Sequence, residues 1–411
     1  MSQLNEQQQK IHDACINWFL NSSEQVFQIS GPAGSGKTFL IMEILKTLSL
    51  SSEKIMPMAY TGAATLVMRS RGFINAKTIH SSLYTLTRLP DMNNVDRRTG
   101  IPKLKTEFIL RDNIDPRISL FFIDEGSFVP ESMVKDILSF GRKVIVAGDL
   151  NQLPPVSEKP GFLYSGKVHM LSQIMRQNEG DPIVYLSQRA IKGLPINNGN
   201  YGSVIVLNDD EFLPNMIGYA DVILCGTNRT RDDMNAQVRR IAKIDSILPL
   251  YGERMICRKN KFDIVNFEDI PLVNGLTGVV ASNTSTLDPK NRKTFRMDFK
   301  PDCGYYNFNN LKVNYEYYIS DADKRKYMKN NKYDNYNGEF FEFAYALTIH
   351  LSQGSEYNKG IIIEEYLHPQ IQNQLMYTAI TRFRNSLIYF RHKNKYINIP
   401  SIDDIYNRIN K

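Results

Sequence analysis

Long apolar runs are absent from this chain of 411 residues, and so is a basic leader with an apolar core. The opening MSQLNEQQQKIHDACINWF is polar, and no stretch approaches the roughly eighteen apolar residues that a membrane helix needs. The expectation is a soluble intracellular protein with neither signal peptide nor membrane span. Cysteine is scarce as well. Cys15, Cys225, Cys257 and Cys303 lie far apart with no C-x-x-C pair, so neither a disulfide framework nor a zinc site is indicated, and a reducing compartment fits. No repeat of fixed period occurs. Charge of one sign is only mildly in excess: 50 Lys and Arg against 43 Asp and Glu give a formal +7. That balance suits a polyanionic partner and equally suits solubility. The low-complexity look of KRKYMKNNKYDNYNGEF also follows from AT-rich coding and carries no functional argument.

What is present begins with GPAGSGKT at residues 31–38. Gly31, Gly36, Lys37 and Thr38 satisfy G-x-x-x-x-G-K-[ST], with the strand-like QVFQIS before and the helix-like TFLIMEILKTL after, as a phosphate loop requires. Gly31, Pro32, Ala33, Gly34, Ser35 and Gly36 form a turn whose backbone N–H groups can close around phosphates. Lys37 then reaches the β and γ oxygens of ATP, and the Thr38 hydroxyl can ligate Mg²⁺.

The first half of the chain alternates apolar runs (QVFQIS, KIMPMAY, ISLFFID, KVIVAGD) with helical patterns (LIMEILKTL, AATLVMRS, ESMVKDILSF), the signature of a parallel α/β sheet. DVILCGT, TRDDMNAQVRRIAKI, GIIIEEY, IQNQLMYTAITRF and SLIYF repeat the alternation, which predicts a second α/β domain. Two stretches interrupt it. Residues 84–116 carry turn residues and short β-like pieces without a helical stripe, and residues 276–340 are rich in Gly, Asn, Lys and Tyr with alternation in LKVNYEYYIS. Both read as insertions.

LFFIDEGS ends a strand in two acids, Asp124 and Glu125, where one carboxylate can hold the Mg²⁺ shell and the other polarise a water. VIVAGDLNQLPPV follows as strand plus polar turn, with Gln152 placed to sense the γ-phosphate or its water. GDLNQLPPV, together with TIHSSL, LSQIMRQNEGDPI, ALTIHLSQGSEYNKGIII and LMYTAITRFRNSL, resembles the motifs of the superfamily-one helicases, in their RecD-like B branch. The resemblance runs from LNEQQQKI to TAITR, with the motifs in family order.

That resemblance implies an α/β fold of two RecA-like parallel-sheet domains, with a β-hairpin insertion in the first and a small SH3-like β insertion in the second. Residues 1–83 and 117–190 would form the first domain with the ATP site, and 84–116 a hairpin acting as a pin. Residues 191–275 and 341–411 would form the second domain, and 276–340 the SH3-like insertion. Gln8 matches the glutamine that reads adenine. Arg176 and Arg382 match arginines that meet the γ-phosphate from the first and second domains, Arg382 as an arginine finger. Gln353 and Gly354 resemble the phosphate-side turn and Glu356 the acid that contacts ribose. Thr61, Gly62, Ala63, Thr78, His80, Asn228, Thr348, His350 and Ser352 resemble nucleic-acid contacts. Thr61 also suits an ordinary N-cap, and His80 a buried histidine. The chain departs from the family at Leu351, where members commonly carry Lys, so one backbone contact is in doubt. Tyrosines and lysines of the second insertion can stack bases and pair phosphates, or fill and solvate a small barrel.

The activity implied is an ATP-dependent DNA helicase moving 5′ to 3′, with ATP and Mg²⁺ as ligands. Single-stranded DNA and fork or overhang duplex DNA are the implied partners, with RNA left open. A monomer is implied, acting alone or beside replication or recombination proteins, in the cytoplasm of a bacterium or a phage-infected cell. A phosphate-loop kinase or switch is one alternative, and an ATP-driven single-strand clamp or remodeller without processive unwinding is another.

Overall fold

Strands that are apolar on both faces must be covered on both faces, and parallel sheets with helical crossovers meet that demand. In the computed structural model, which describes residues 4–95, 102–155, 158–173, 181–267, 270–282, 284, 293–302, 306–320, 324–326, 328, 338–367 and 369–391, two such sheets form. The chain divides into two units, one of Met1–Ile79, Asn113–Thr227 and Leu347–Lys411, the other of His80–Asp112 and Asn228–Ala346.

The first unit holds both parallel sheets. One runs in the order Lys77–Thr78, Ile55–Ala59, Leu120–Asp124, Lys143–Gly148, Val26–Ser30, Val168–Met170, every pair parallel. Its core gathers Phe27 and Ile29 from the strand Val26–Ser30 with Leu40, Ile41 and Ile44 from the helix Lys37–Thr47. Cys15 and Trp18 join it from the helix Glu6–Asn21. The second sheet runs Ala346–Thr348, Val222–Cys225, Tyr357–Ile363, Phe383–Arg391, Val204–Asn208, Gly199–Asn200. It is parallel from Val222–Cys225 to Val204–Asn208, and its last pair is antiparallel. The apolar runs named from the sequence are strands here, and the fold class is the expected one. Short strands such as Lys77–Thr78 and Val168–Met170, and the helices Glu6–Asn21 and Pro182–Ile191, are additions to that reading.

The second unit contains a five-stranded antiparallel sheet ordered Phe308–Asn314, Thr294–Pro301, Thr277–Val280, Arg254–Cys257, Phe341–Phe343. It draws on strands on either side of residues 276–340, because Arg254–Cys257 pairs with Thr277–Val280 of the insertion on one side and with Phe341–Phe343 on the other. Tyr317 stacks on Phe340 at 4.0 Å between centroids, so part of the tyrosine-rich segment fills a core. The same unit holds an antiparallel hairpin of Tyr84–Val95 and Pro102–Leu110. Cys303 and residues 96–101 lie outside the described residues. Among the described residues no helix is long and apolar enough to cross a membrane.

In the second parallel sheet Gly360 is there because Phe383 is. A Cβ at Gly360 would fall inside the Phe383 ring, which is itself buried. Gly360→Ala is therefore expected to lower unfolding stability by about 1–3 kcal/mol through overpacking. Pairing it with Phe383→Leu should recover part of the loss, read from denaturant midpoints of the three proteins.

Candidate nucleotide site

The strand Val26–Ser30 delivers the chain to the phosphate loop, which closes on two left-handed glycines, Gly34 at φ 81° and Gly36 at φ 80°. Gly31 must be glycine for a different reason: a Cβ there would lie 2.6 Å from the Leu171 carbonyl oxygen. The Gly31 amide donates to Gly148 O at 3.1 Å, tying the loop to the neighbouring strand end. Lys37 opens the following helix, and its Nζ donates to Gly31 O at 2.6 Å and Pro32 O at 3.0 Å, bent back over the loop. Ser35 is buried.

A cavity of about 310 Å³ lies over this loop. From the first sheet's side it is lined by Ala33, Gly34, Gly36, Lys37, Thr38, Asp124, Glu125 and Gln152, and from the second's by Gly354, Glu356 and Arg382. Gly31, Pro32 and Ser35 support the loop from outside the lining. Asp124 is the last residue of its strand, and its Oδ1 accepts from the Glu125 amide at 2.9 Å. Glu125 sits in the left-handed region at φ 54°, a strain of about 1–3 kcal/mol for a residue with a side chain. Arg382 donates from Nε to Thr378 O at 3.1 Å and from Nη1 to Ser355 O at 3.3 Å, which fixes its guanidinium at the end of the helix Gln372–Ile380. Gln152 is 3% exposed, and its Oε1 has no hydrogen-bond partner among the described residues.

A family profile for an AAA domain matches residues 3–196, and one for a UvrD-like helicase C-terminal domain matches residues 343–388. The RecBCD subunit RecD of Buchnera aphidicola is 23% identical over 90% of this chain and 71% of its own length. Through these matches the chain is similar to the RecD-like and Pif1-like helicases. An uncharacterised protein of Methanocaldococcus jannaschii is 27% identical to this RecD/Pif1-like chain over 93% of it, but over only 38% of the archaeal protein. Three of the curated relatives are matched over 36% to 40% of their own length. The fold is that of Bacteroides Pif1 in its structure bound to single-stranded DNA, with TM-score 0.55 at 18% identity, covering 100% of this chain and 97% of that one.

The other residues singled out in this RecD/Pif1-like sequence are placed as follows. Gln8 is buried in the capping box of the first helix, its Oε1 accepting from the Asn5 amide at 3.1 Å. Gln353 holds its Nε2 buried, with no hydrogen-bond partner among the described residues. Arg176 lies outside the described residues. Thr61 caps the helix Gly62–Ser70 by accepting from the Ala64 amide at 3.2 Å, with Ala63 in its first turn. Gly354, at φ 79°, packs so close that a Cβ would lie 2.8 Å from Thr61 Oγ1. Thr78 ends a short edge strand. Thr348 and Ser352 are buried, and the Ser352 hydroxyl donates to Ile349 O at 2.8 Å. His350 is held below its ordinary pKa by burial. In the second unit, His80 packs against Tyr84 and Phe108 and burial likewise lowers its pKa, while Asn228 begins the helix Asn228–Ile241.

Motif spacing misses Arg71, which follows the helix Gly62–Ser70. Its Nη1 donates to Thr38 Oγ1 at 3.1 Å and its Nη2 pairs with Glu356 at 3.0 Å, within the cavity lining. Arg384 pairs with Glu356 too. Arg71 belongs to no fixed interval, so only the fold brings it here.

Burial raises the pKa of Asp124, against the pull of Arg71 and the Glu125 amide. Glu125 is pushed up from 4.5 to about 7, first by burial and then by the charges of Asp124 and Asp149, against Arg382 and Lys37. A carboxyl whose folded pKa is raised lends stability below its unfolded pKa and loses it as pH rises through the folded value. Glu125→Gln is therefore expected to leave the melting temperature near the parent's at pH 4.5 and to raise it above the parent's at pH 8, the gap opening between 4.5 and about 7. Thermal melts of both proteins across that range check it.

Proposed function

We propose that the chain hydrolyses ATP to move 5′ to 3′ along single-stranded DNA and to separate duplex at forks and overhangs. One observation carries this reading: a single cavity takes the phosphate loop, Asp124, Glu125 and Gln152 from one parallel sheet and Gly354, Glu356 and Arg382 from another. A kinase or switch built on the phosphate loop alone needs no second sheet with an arginine. Such a split site answers to nucleotide by drawing its two sides together, and a two-state element biased in that way is what a motor requires.

The roles follow from the chemistry of each group. The loop amides and Lys37 hold the β and γ oxygens, Lys37 turning from the Gly31 and Pro32 carbonyls to do so. Thr38 and Asp124 suit Mg²⁺: both line the cavity beside the phosphate loop, and a hydroxyl and a carboxylate are the hard oxygen donors that would hold the ion. That matches an ion that keeps its waters and takes phosphate oxygens as further ligands. Bound there, Mg²⁺ would withdraw charge from the β and γ oxygens. Glu125 accepts the proton of the attacking water, which Gln152 orients. Arg382, with Arg176, offsets negative charge that grows on the transferring phosphoryl group. Gln8 meets adenine through its amide, Gln353 and Gly354 border the phosphates, and Glu356 takes the ribose.

Thr61, Gly62 and Ala63 offer a helix N-terminus to a strand phosphate; Thr78, Thr348 and His350 of the same unit, and His80 and Asn228 of the other, are taken as strand contacts in this reading as well. Ser352 acts through the turn its hydroxyl closes. The neutral state that burial favours in His80 and His350 suits hydrogen bonding and stacking over ion pairing.

The test is ATP hydrolysis with and without single-stranded DNA, alongside strand displacement on DNA and RNA duplexes with 5′ or 3′ overhangs. Strand-stimulated turnover with displacement only from 5′ overhangs is expected. Stimulated turnover without displacement would mark a clamp, and turnover indifferent to any strand would mark a switch. Lys37→Ala is expected to abolish turnover with an unchanged unfolding curve, and Arg382→Ala to lower kcat on the order of 10³-fold.

The hairpin Tyr84–Val95 and Pro102–Leu110 serves in this reading as the pin that splits the duplex. A long two-stranded ribbon, paired from Tyr84–Leu110 outward, is the kind of element that can stand as an obstacle. Replacing residues 90–103 with a short glycine linker is expected to leave strand-stimulated ATPase largely intact and to remove unwinding, measured on the same substrates.

A further inference from the structure

Two consecutive side chains of the helix Gln372–Ile380 grip the two ends of the turn that follows the strand Lys143–Gly148. The Tyr377 hydroxyl donates to Asp149 Oδ2 at 2.6 Å, and the Leu153 amide donates to Thr378 Oγ1 at 3.1 Å. Tyr377 and Thr378 are 0% exposed and Asp149 1%, so water does not compete for these bonds. Asp149 Oδ1 is also engaged, accepting from the Asn151 amide at 3.0 Å. The carboxylate cannot rotate without giving up one partner.

What lies on either side of the grip gives it meaning. Between its two points is Gln152, which lines the cavity with a buried Oε1 that has no hydrogen-bond partner among the described residues. Beyond it, the helix ends in Arg382, whose Nε donates to Thr378 O at 3.1 Å. Thr381 donates its amide to Tyr377 O at 3.0 Å. The residues that hold the glutamine's turn are thus the residues on which the arginine is mounted.

We propose that Tyr377 and Asp149 are a positioning pair that sets Gln152 and Arg382 in register, so that the group orienting the water and the group meeting the developing charge arrive together. This rests on the ATPase reading above. Phenylalanine would fill the same space, so packing alone does not call for a hydroxyl; the directional bond to a buried carboxylate does. A short bond to a charged acceptor resists sliding, and misplacement of catalytic groups by an ångström is enough to slow chemistry about a hundredfold. Neither Tyr377 nor Asp149 lines the cavity, so neither is a catalytic residue.

The experiment uses the full chain with saturating single-stranded DNA. Tyr377→Phe and Asp149→Asn are compared with the parent for kcat, for KM of ATP and for equilibrium binding of a fluorescent ADP analogue. Asparagine has one oxygen where two are needed, so it cannot serve both Tyr377 and Asn151. The expected result is kcat lowered about tenfold or more in each, with KM and ADP affinity within about twofold of the parent. The double variant should be no slower than the slower single one, because both remove the same bond. A kcat within about twofold of the parent, or losses that multiply in the double variant, would overturn the pair. If Tyr377→Phe fails to fold, Thr378→Val, which removes the second point of the grip, carries the same kcat-against-KM expectation. A parent that hydrolyses no ATP would overturn the function itself, and the pair with it.

Discussion

Charge burial governs this structure before shape does. Lys37, Arg71 and Arg382 share one cavity with Asp124, Glu125 and Glu356, and an ion withdrawn from water costs several kcal/mol unless it finds a partner. The fold answers by placing each charge where a counter-charge or a backbone dipole waits. Lys37 begins a helix and leans on loop carbonyls, Asp124 ends a strand and accepts from an amide, and Glu356 takes two guanidiniums. Glu125 is the member least well served. Beside Asp124 and within the field of Asp149, it is the carboxyl held readiest to take a proton, which is the property a general base needs.

The same constraint explains why the site is built at strand ends. Parallel strands deliver successive loops to one edge of a sheet, so residues remote in sequence meet there without long excursions. Asp124, the turn from Asp149 to Leu153 and the phosphate loop leave neighbouring strands of one sheet. Arg382 leaves a helix of the other lobe. The turn is tied to the arginine's helix by a tyrosine hydroxyl and a threonine oxygen, bonds that are directional where apolar packing would tolerate slip.

Much of this was legible in the sequence, for physical reasons. Buried parallel strands are continuous apolar runs, so LFFID and VIVAG announce themselves, and a phosphate loop has a fixed interval because its turn has a fixed length. Motif residues such as Lys37, Asp124, Glu125, Gln152, Glu356 and Arg382 do share one cavity. Arg71, Asp149 and Tyr377 were not singled out, since an arginine after a helix, an acid after a strand and a tyrosine within a helix are all common; their partners lie far along the chain. The strand Arg254–Cys257 shows another limit. It is nearly as buried as a parallel strand, so its period could not tell that it pairs antiparallel with Thr277–Val280 and Phe341–Phe343. Gln8 shows a third: the capping box that seats it is a local device, readable as Asn5 followed three residues later by Gln8, and it is silent about what the amide meets.

The strand order also dictates a sequence of events on the ribosome. The first sheet closes with Val168–Met170, so that lobe can fold while most of the chain is still to come. In the second sheet Val222–Cys225 must wait for Tyr357–Ile363, and Val204–Asn208 must wait for Phe383–Arg391. The whole antiparallel unit between them is made in the interval. Arg382 therefore emerges only after the first sheet and the antiparallel unit, and the phosphate loop is made long before the second side of its cavity.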